Sequence, residues 1–317
     1  MNRNRRTLVG LILGLAALLL APQSWAQSSG RGTLTIEVLD VGQGDSIFIR
    51  SPEGKTALID AGPTREGAVQ LLRRQGVERI DLAVVSHHHS DHYGGMDQIV
   101  RRLAPRYFLA TRSGHTTRMY LKLLETVESE GLTMIEPTDK PRRIELGSVE
   151  LMVFPQTPED RRDENNNSIG IRLVHGNFSM LLTGDSEEQE RSAWLRTIPE
   201  LVERSTVLKL AHHGSRNGVD SRWLARVRPE LAVVSVGRGN DYGHPHPETL
   251  SLLKREAIPL LRTDVFGTIV IESDGRGWRV VSPQLSSRGP PLQDELDRVA
   301  AEIDANPAVR PRTARVR

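Results

Sequence analysis

Short apolar runs alternate along this chain with stretches in which apolar residues return every three or four positions. The runs at residues 33–41, 45–50, 56–60 and 82–87 predict strands, since each is short and rich in residues that suit a pleated, half-buried surface. Helical spacing near 67–74 and 96–103 predicts helices. So does the stretch near 117–130, which carries Met119, Leu121, Leu123, Leu124 and Val127. Strands return at 143–154 and at 169–182, where Gly176-Asn177 supplies a turn of hairpin type. The second half has the same alternation. A helix follows Asp185, then come a strand at 206–211, a helix near 221–227, a strand at 231–236, a helix at 247–255, and strands at 268–272 and 278–281. Mixed strands with helices on both outer sides predict an α/β fold, a four-layer αββα sandwich. It would form one domain over residues 33–285, with its site at one edge between the sheets. The architecture repeats between the halves; the sequence does not.

Both ends depart from this pattern. Arg3, Arg5 and Arg6 precede an apolar run at 8–21, and Ser24-Trp25-Ala26 offers the small residues a signal peptidase reads. Residues 1–26 therefore read as an export signal cut after Ala26, which would leave the mature chain in the periplasm or outside the cell. The alternative is an uncleaved N-terminal membrane anchor, although the run is short for a span. Arg5-Arg6-Thr7-Leu8 is an incomplete twin-arginine pattern, so the export route stays open. At the other end Gly289-Pro290-Pro291 breaks the chain. Leu292, Leu296, Val299 and Ile303 then recur at helical spacing up to Asn306-Pro307, and four arginines follow from Arg310 to Arg317. Residues 286–317 read as a docking helix with a basic end, or else as a contact for an anionic surface.

Composition narrows the chemistry. At 317 residues, 38% hydrophobic and 26% charged, there is ample material for a core. The lack of cysteine excludes disulfides, thiolate metal sites, a cysteine nucleophile and a lipidated N-terminal cysteine. The formal charge of +2 includes the three leader arginines, so the mature chain falls to about −1. Net charge gives no support for a nucleic-acid-coating protein, and any such binding would come from a local patch.

The segment Val85-Ser86-His87-His88-His89-Ser90-Asp91-His92 concentrates chemistry where a predicted strand ends and a predicted helix, opened by Gly94-Gly95, begins. On a strand His87 and His89 project to the same side, while Asp91 and His92 reach a second point from the following turn. Imidazole and carboxylate in this order suit two adjacent divalent ions better than one closed structural site. A histidine-rich loop without metal is the plainer alternative.

This segment resembles the signature of the metallo-β-lactamase fold. With Leu39-Asp40-Val41-Gly42-Gln43-Gly44-Asp45-Ser46, Leu182-Thr183-Gly184-Asp185, Leu208-Lys209-Leu210-Ala211-His212-His213-Gly214-Ser215 and Tyr242-Gly243-His244-Pro245-His246-Pro247, the chain is similar to the hydrolase domain of the ComEC family of DNA-uptake proteins over about residues 33–275. Family members that import DNA carry this domain on a multi-helix membrane channel, and this chain carries no such channel. The resemblance implies a metallo-β-lactamase sandwich with two divalent ions, zinc or manganese, bridged by Asp185. Read alone, Asp185 would be the N-cap of a helix at 186–195. His87, His89, Asp91, His92 and His213 complete the expected ligand set, with His212 as the alternative to His213.

One ligand of the lactamase pattern, a histidine on a strand before the bridging aspartate, is missing. His115 and His175 fall in the interval without the right setting, and Asn167 in Glu164-Asn165-Asn166-Asn167-Ser168-Ile169 takes its place. An amide oxygen is a poorer zinc ligand than imidazole, so the position held by His87, His89 and Asp185 should be open and tolerant of manganese. Asp60 matches the family's aspartate that orients a ligand imidazole. Asp40 and Asp45 flank Gly42-Gln43-Gly44 and either line the cleft or serve turn chemistry. Tyr242, His244 and His246 could bind a phosphate or donate a proton to a leaving oxygen; His246 and Pro247 read equally well as a helix start.

Two cations sharing Asp185 would lower the pKa of a held water toward neutrality, and the resulting hydroxide would attack phosphorus or a carbonyl carbon. Asp91, Asp185 and His244 are the residues expected to carry the reaction. Ser215 lacks the elbow a serine nucleophile needs. The sequence thus points to an exported phosphodiesterase or nuclease, with a phosphodiester such as DNA as substrate and any envelope partner unassigned. The alternatives are a hydrolase of another ester or amide, a β-lactam or phosphorylcholine-type ester included, and a binding module on an inactive hydrolase fold.

Overall fold

The computed structural model describes residues 32–281. The expected leader at 1–26 and C-terminal segment at 286–317 lie outside the described residues. Among the described residues, fifteen strands form two sheets. The first contains β1 (Leu34–Val38), β2 (Ile47–Arg50), β3 (Thr56–Ile59), β4 (Leu82–Val85), β5 (Tyr107–Ala110), β6 (Thr133–Ile135), β14 (Ile269–Ser273) and β15 (Trp278–Val281), in the order β15-β14-β1-β2-β3-β4-β5-β6. The second contains β7 (Arg142–Leu146), β8 (Val149–Val153), β9 (Ile171–His175), β10 (Phe178–Leu182), β11 (Val207–Lys209), β12 (Leu231–Val234) and β13 (Leu260–Arg262), in the order β13-β12-β11-β10-β9-β8-β7.

Each sheet is antiparallel on one side and parallel on the other. β3 through β6 run parallel, as do β10 through β13. The inner parallel strands are covered on both faces, so β4 (Leu-Ala-Val-Val) and β12 (the same four residues) are buried throughout. β1 instead buries every second side chain. Between the sheets, Ile36, Val38, Ile49, Leu151, Leu173 and Met180 belong to one continuous core. A second core joins the outer face of the first sheet to α1 (Gly67–Arg74), α3 (Met96–Leu103) and α4 (Arg118–Ser129). A third, with Trp194 and Trp223 at its centre, joins the second sheet to α5 (Glu188–Thr197), α6 (Ser221–Val227) and α7 (Pro247–Arg255). The four layers are therefore αββα. Two one-turn helices, α2 (Ser90–Tyr93) and α8 (Thr263–Phe266), lie in the connections. No helix among the described residues is long and apolar enough to cross a membrane.

Besides these two short helices, the structure differs from the sequence reading in its strands and in one helix start. β5, β6 and β13 are additional strands of only three or four residues. Residues 143–154 divide into the β7–β8 hairpin, whose register pairs Leu146 with Val149. The strand at 206–211 stops at Lys209, where the chain turns into Ala211–Gly214. The helix after Asp185 begins at Glu188 with Glu187 as its N-cap, so Asp185 is not a capping residue.

Candidate metal centre

The carboxyl ends of the parallel strands from both sheets meet at one edge, and the chemistry collects there. β4 ends at Val85; Ser86 to His89 leave the sheet, and α2 brings Asp91 and His92 back. Gly184 and Asp185 follow β10, and His213 follows β11. His92 Nε2 lies 3.2 Å from Asp185 Oδ1. His213 Nε2 lies 3.2 Å from Asp91 Oδ2 and 3.5 Å from Asp185 Oδ2. One ligand atom from each of these four residues falls within 4.8 Å of the others. On the other side of Asp185, His87 Nε2 is 3.9 Å from Oδ2 and 3.1 Å from His89 Nδ1. Asp185 Oδ1 thus faces His92 while its Oδ2 faces both His213 and His87, so the carboxylate lies between the two imidazole groups.

The donors fit divalent metal. His92 Nε2 and Asp185 Oδ1 are buried and lack a hydrogen-bond partner although they face each other. Unpaired buried polar atoms of this kind are costly unless something else satisfies them. Imidazole nitrogen with carboxylate oxygen is a donor set for zinc, manganese or iron(II). The charges agree. Burial alone would raise the Asp185 carboxyl, yet His92, His213 and His87 hold it well below the usual range. Burial alone would lower His92, but Asp185 and Asp60 push it well above the usual imidazole value. His213 is pushed up to about 10, against burial, by Asp185, Asp45 and Asp91. The pocket favours positive charge, which protons supply here and which metal binding would replace by releasing them.

A surrounding set of bonds aims the ligands. Asp60 accepts from Ser86 N (2.7 Å), from Ser86 Oγ (2.6 Å) and from His92 Nδ1 (2.7 Å), which directs His92 Nε2 at Asp185. Asp60 holds a left-handed φ of 60° to do so. His213 Nδ1 donates to Ser235 O at 3.0 Å and lies 3.4 Å from Asp45 Oδ1. Asp45 is therefore buried behind His213 rather than lining the cleft. Burial works to raise its carboxyl, but Lys209 and His213 lower it to about 2. Asp40, in contrast, accepts from Gly42 N in a local turn.

His212 and His213 both adopt left-handed backbone, with φ of 50° and 51°, so alternation along a strand does not separate them. Their bonds do. His212 Nδ1 turns to Glu187 Oε1 at 3.1 Å, while His213 reaches Asp91 and Asp185. His88 points away from the cluster: its Nδ1 is 3.1 Å from Glu164 Oε1 and 3.3 Å from Ser113 Oγ.

Asn167, which the sequence places where the lactamase pattern has a histidine, is held within its own loop. Its Oδ1 accepts from Asp160 N (2.8 Å), and its Nδ2 donates to Asp160 O (2.9 Å) and Glu164 Oε2 (3.0 Å). Its amide is committed to its own loop. The neighbouring Ser168 serves the centre instead, accepting from Asp185 N at 3.1 Å. Gly184 has φ of +52°, and a Cβ there would come within 2.9 Å of Ser168 Oγ, so glycine lets the two approach.

A cleft of about 310 Å³ opens over the cluster. Gln43, Ser90, His212, Tyr242 and His244 surround Asp91, Asp185 and His213, and no aliphatic side chain lines it. Burial, with His212, His213 and His246 nearby, lowers His244 to about 4, so its ring is neutral at neutral pH. His246 is the N-cap residue of α7, and its Nδ1 accepts from Arg216 N at 3.0 Å. It belongs to the helix start rather than to the cleft. Sequence reasoning missed Lys209, Ser86, Ser168, Ser235 and Glu187. Only Lys209 left a signal, a charge inside an otherwise apolar strand.

Known proteins share this fold. The sequence profile of the Metallo-beta-lactamase superfamily matches residues 39–238. The chain belongs to the metallo-β-lactamase superfamily, with the metal-dependent hydrolase fold. It is similar to ComE operon protein 3 of Bacillus subtilis (strain 168), 27% identical over 253 residues that cover 74% of this chain and 32% of that protein. It is also similar to Competence protein ComA of Neisseria gonorrhoeae, 30% identical over 237 residues, 74% of this chain and 31% of that protein. The chain thus spans about a third of the length of these curated relatives. Igni18, a metallo hydrolase from the archaeon Ignicoccus hospitalis KIN4/I, shares the fold with a TM-score of 0.50 and 17% identity, over 74% of this chain and 98% of that one.

Proposed function

We propose that this chain is an exported, dinuclear metal-dependent phosphodiesterase whose substrates are nucleic-acid phosphodiesters, DNA first among them. The observation that carries this reading is Asp185, set between two imidazole groups under a cleft without aliphatic lining. His92, Asp91, His213 and Asp185 would hold one divalent ion; His87, His89 and Asp185 would hold the other. Such ions supply Lewis acidity and a water of lowered pKa. The protein's part is to aim and to bind. Asp60 and Asp45 fix the orientation of His92 and His213. Gln43, His212 and neutral His244 offer hydrogen bonds to phosphate oxygens and to the leaving oxygen.

A β-lactam needs an apolar wall for its ring, and this cleft offers none. Similarity to the ComEC family and to competence proteins favours DNA over other phosphodiesters. The leader read in residues 1–26 would deliver the enzyme to the cell envelope. The test is metal analysis of the mature protein, then assays on bis(p-nitrophenyl) phosphate, single- and double-stranded DNA, and nitrocefin with zinc or manganese. Phosphodiester cleavage with manganese at least as effective as zinc is expected. Efficient opening of nitrocefin with both phosphodiester classes left intact would overturn the proposal.

A further inference from the structure

Tyr242 is 67% exposed, the most exposed of the large hydrophobic side chains among the described residues. Its loop is nevertheless braced. Asn240 Nδ2 donates to Gly237 O (3.0 Å) and His244 O (2.8 Å), and Asn240 Oδ1 accepts from His244 N (3.0 Å). The Tyr242 ring lies 5.7 Å from the His244 ring and within 23° of parallel to it. His244 in turn is stacked 6.3 Å from His213. An aromatic face thus stands in water at the mouth of the cleft, two ring steps from a residue assigned to the metal centre. Folding gains little from a ring held there, whereas a flat group attached to a bound phosphodiester would cover it.

Resting on the phosphodiesterase reading, we propose that Tyr242 is a stacking platform for the nucleobase next to the scissile phosphate, and that the preferred substrate is therefore single-stranded. Every base has a π-face, so such a platform tolerates any sequence. A base within a duplex is already stacked on its neighbours and would have to leave them first.

The test compares wild type, Tyr242→Ala and Tyr242→Phe on three labelled substrates: a thymidine oligonucleotide, the same strand with abasic sites, and the thymidine strand annealed to its complement. KM and kcat are read from cleavage, and Kd from fluorescence anisotropy. Wild type is expected to prefer the thymidine strand to both others. Tyr242→Ala should raise KM and Kd for that strand by about tenfold, erasing its advantage over the abasic strand, with kcat little changed. Tyr242→Phe should behave as wild type. Equal KM and Kd for thymidine and abasic strands in wild type would overturn the platform. So would a loss in Tyr242→Phe equal to that in Tyr242→Ala, which would assign the effect to the hydroxyl. If no strand is cleaved, the phosphodiesterase reading fails. Anisotropy then still decides this inference, because a base-dependent Kd that needs Tyr242 sustains it and a base-independent Kd ends it.

Discussion

Lys209 Nζ lies 2.5 Å from Asp45 Oδ2, both side chains are buried, and the pair joins the second sheet to the loop after β1. Lys209 also donates to Leu210 O at 2.9 Å. Removing the ammonium leaves a carboxylate in the interior behind His213. Lys209→Met is therefore expected to destabilise the fold by about 3–5 kcal/mol. Urea unfolding of the metal-free protein measures this, and a loss too small to resolve would mean that the pair is solvated in solution.

Asp185 and His88 should separate sharply. Asp185→Ala removes the carboxylate shared by both imidazole groups, and loss of at least one ion and nearly all turnover is expected. His88→Ala should keep its metal content, because His88 is bonded to Glu164 and Ser113 on the far side. Metal analysis of the two purified variants checks this; equal loss in both would refute the assignment.

Asp60→Asn tests orientation rather than ligation. Asparagine can still accept from Ser86, but it carries no charge to hold His92 Nδ1–H and aim Nε2. Metal affinity should fall by about 10- to 100-fold with the fold intact. Competition with a chelator, alongside a thermal melt, distinguishes this outcome from simple unfolding.

Glu190 sets a pH dependence away from the metals. Burial pushes its carboxyl well above the usual range, outweighing bonds from Thr157 Oγ1 and Ser168 N and the nearby charge of Arg191. With the folded-state value raised, its contribution to stability is present at low pH and is lost as pH rises through that value. Glu190→Gln keeps the neutral form, so its melting temperature should decline less than wild type's as pH increases. Parallel declines in the two proteins would assign the loss to other groups.

Much of the centre is legible in the chain. His87, His89, Asp91 and His92 share one short segment, and local backbone geometry alone brings them together. Asp185 is readable from the Gly-Asp that follows β10. The supporting bonds are not, because Asp45, Lys209 and Ser235 meet partners across the seam only after the sheets stack. The role of Asn167 is not readable for a related reason: the bonds from its amide to Asp160 and Glu164 form only once its loop is folded. β6 and β13 escape a pattern-based reading because they are only three residues long, too short to show a period of two.

The centre draws on both sheets, with His87 to His92 contributed by one and Asp185 and His213 by the other. Ser235 Oγ to Gly44 O (2.6 Å) and Ile169 N to Ser86 O (2.9 Å) cross the same seam. Neither half of the chain can assemble the centre by itself. During synthesis, the first half emerges with its histidines but without the shared carboxylate. The ligand set is complete only with closure of the seam, so assembly of the candidate centre is timed by the protein's own folding.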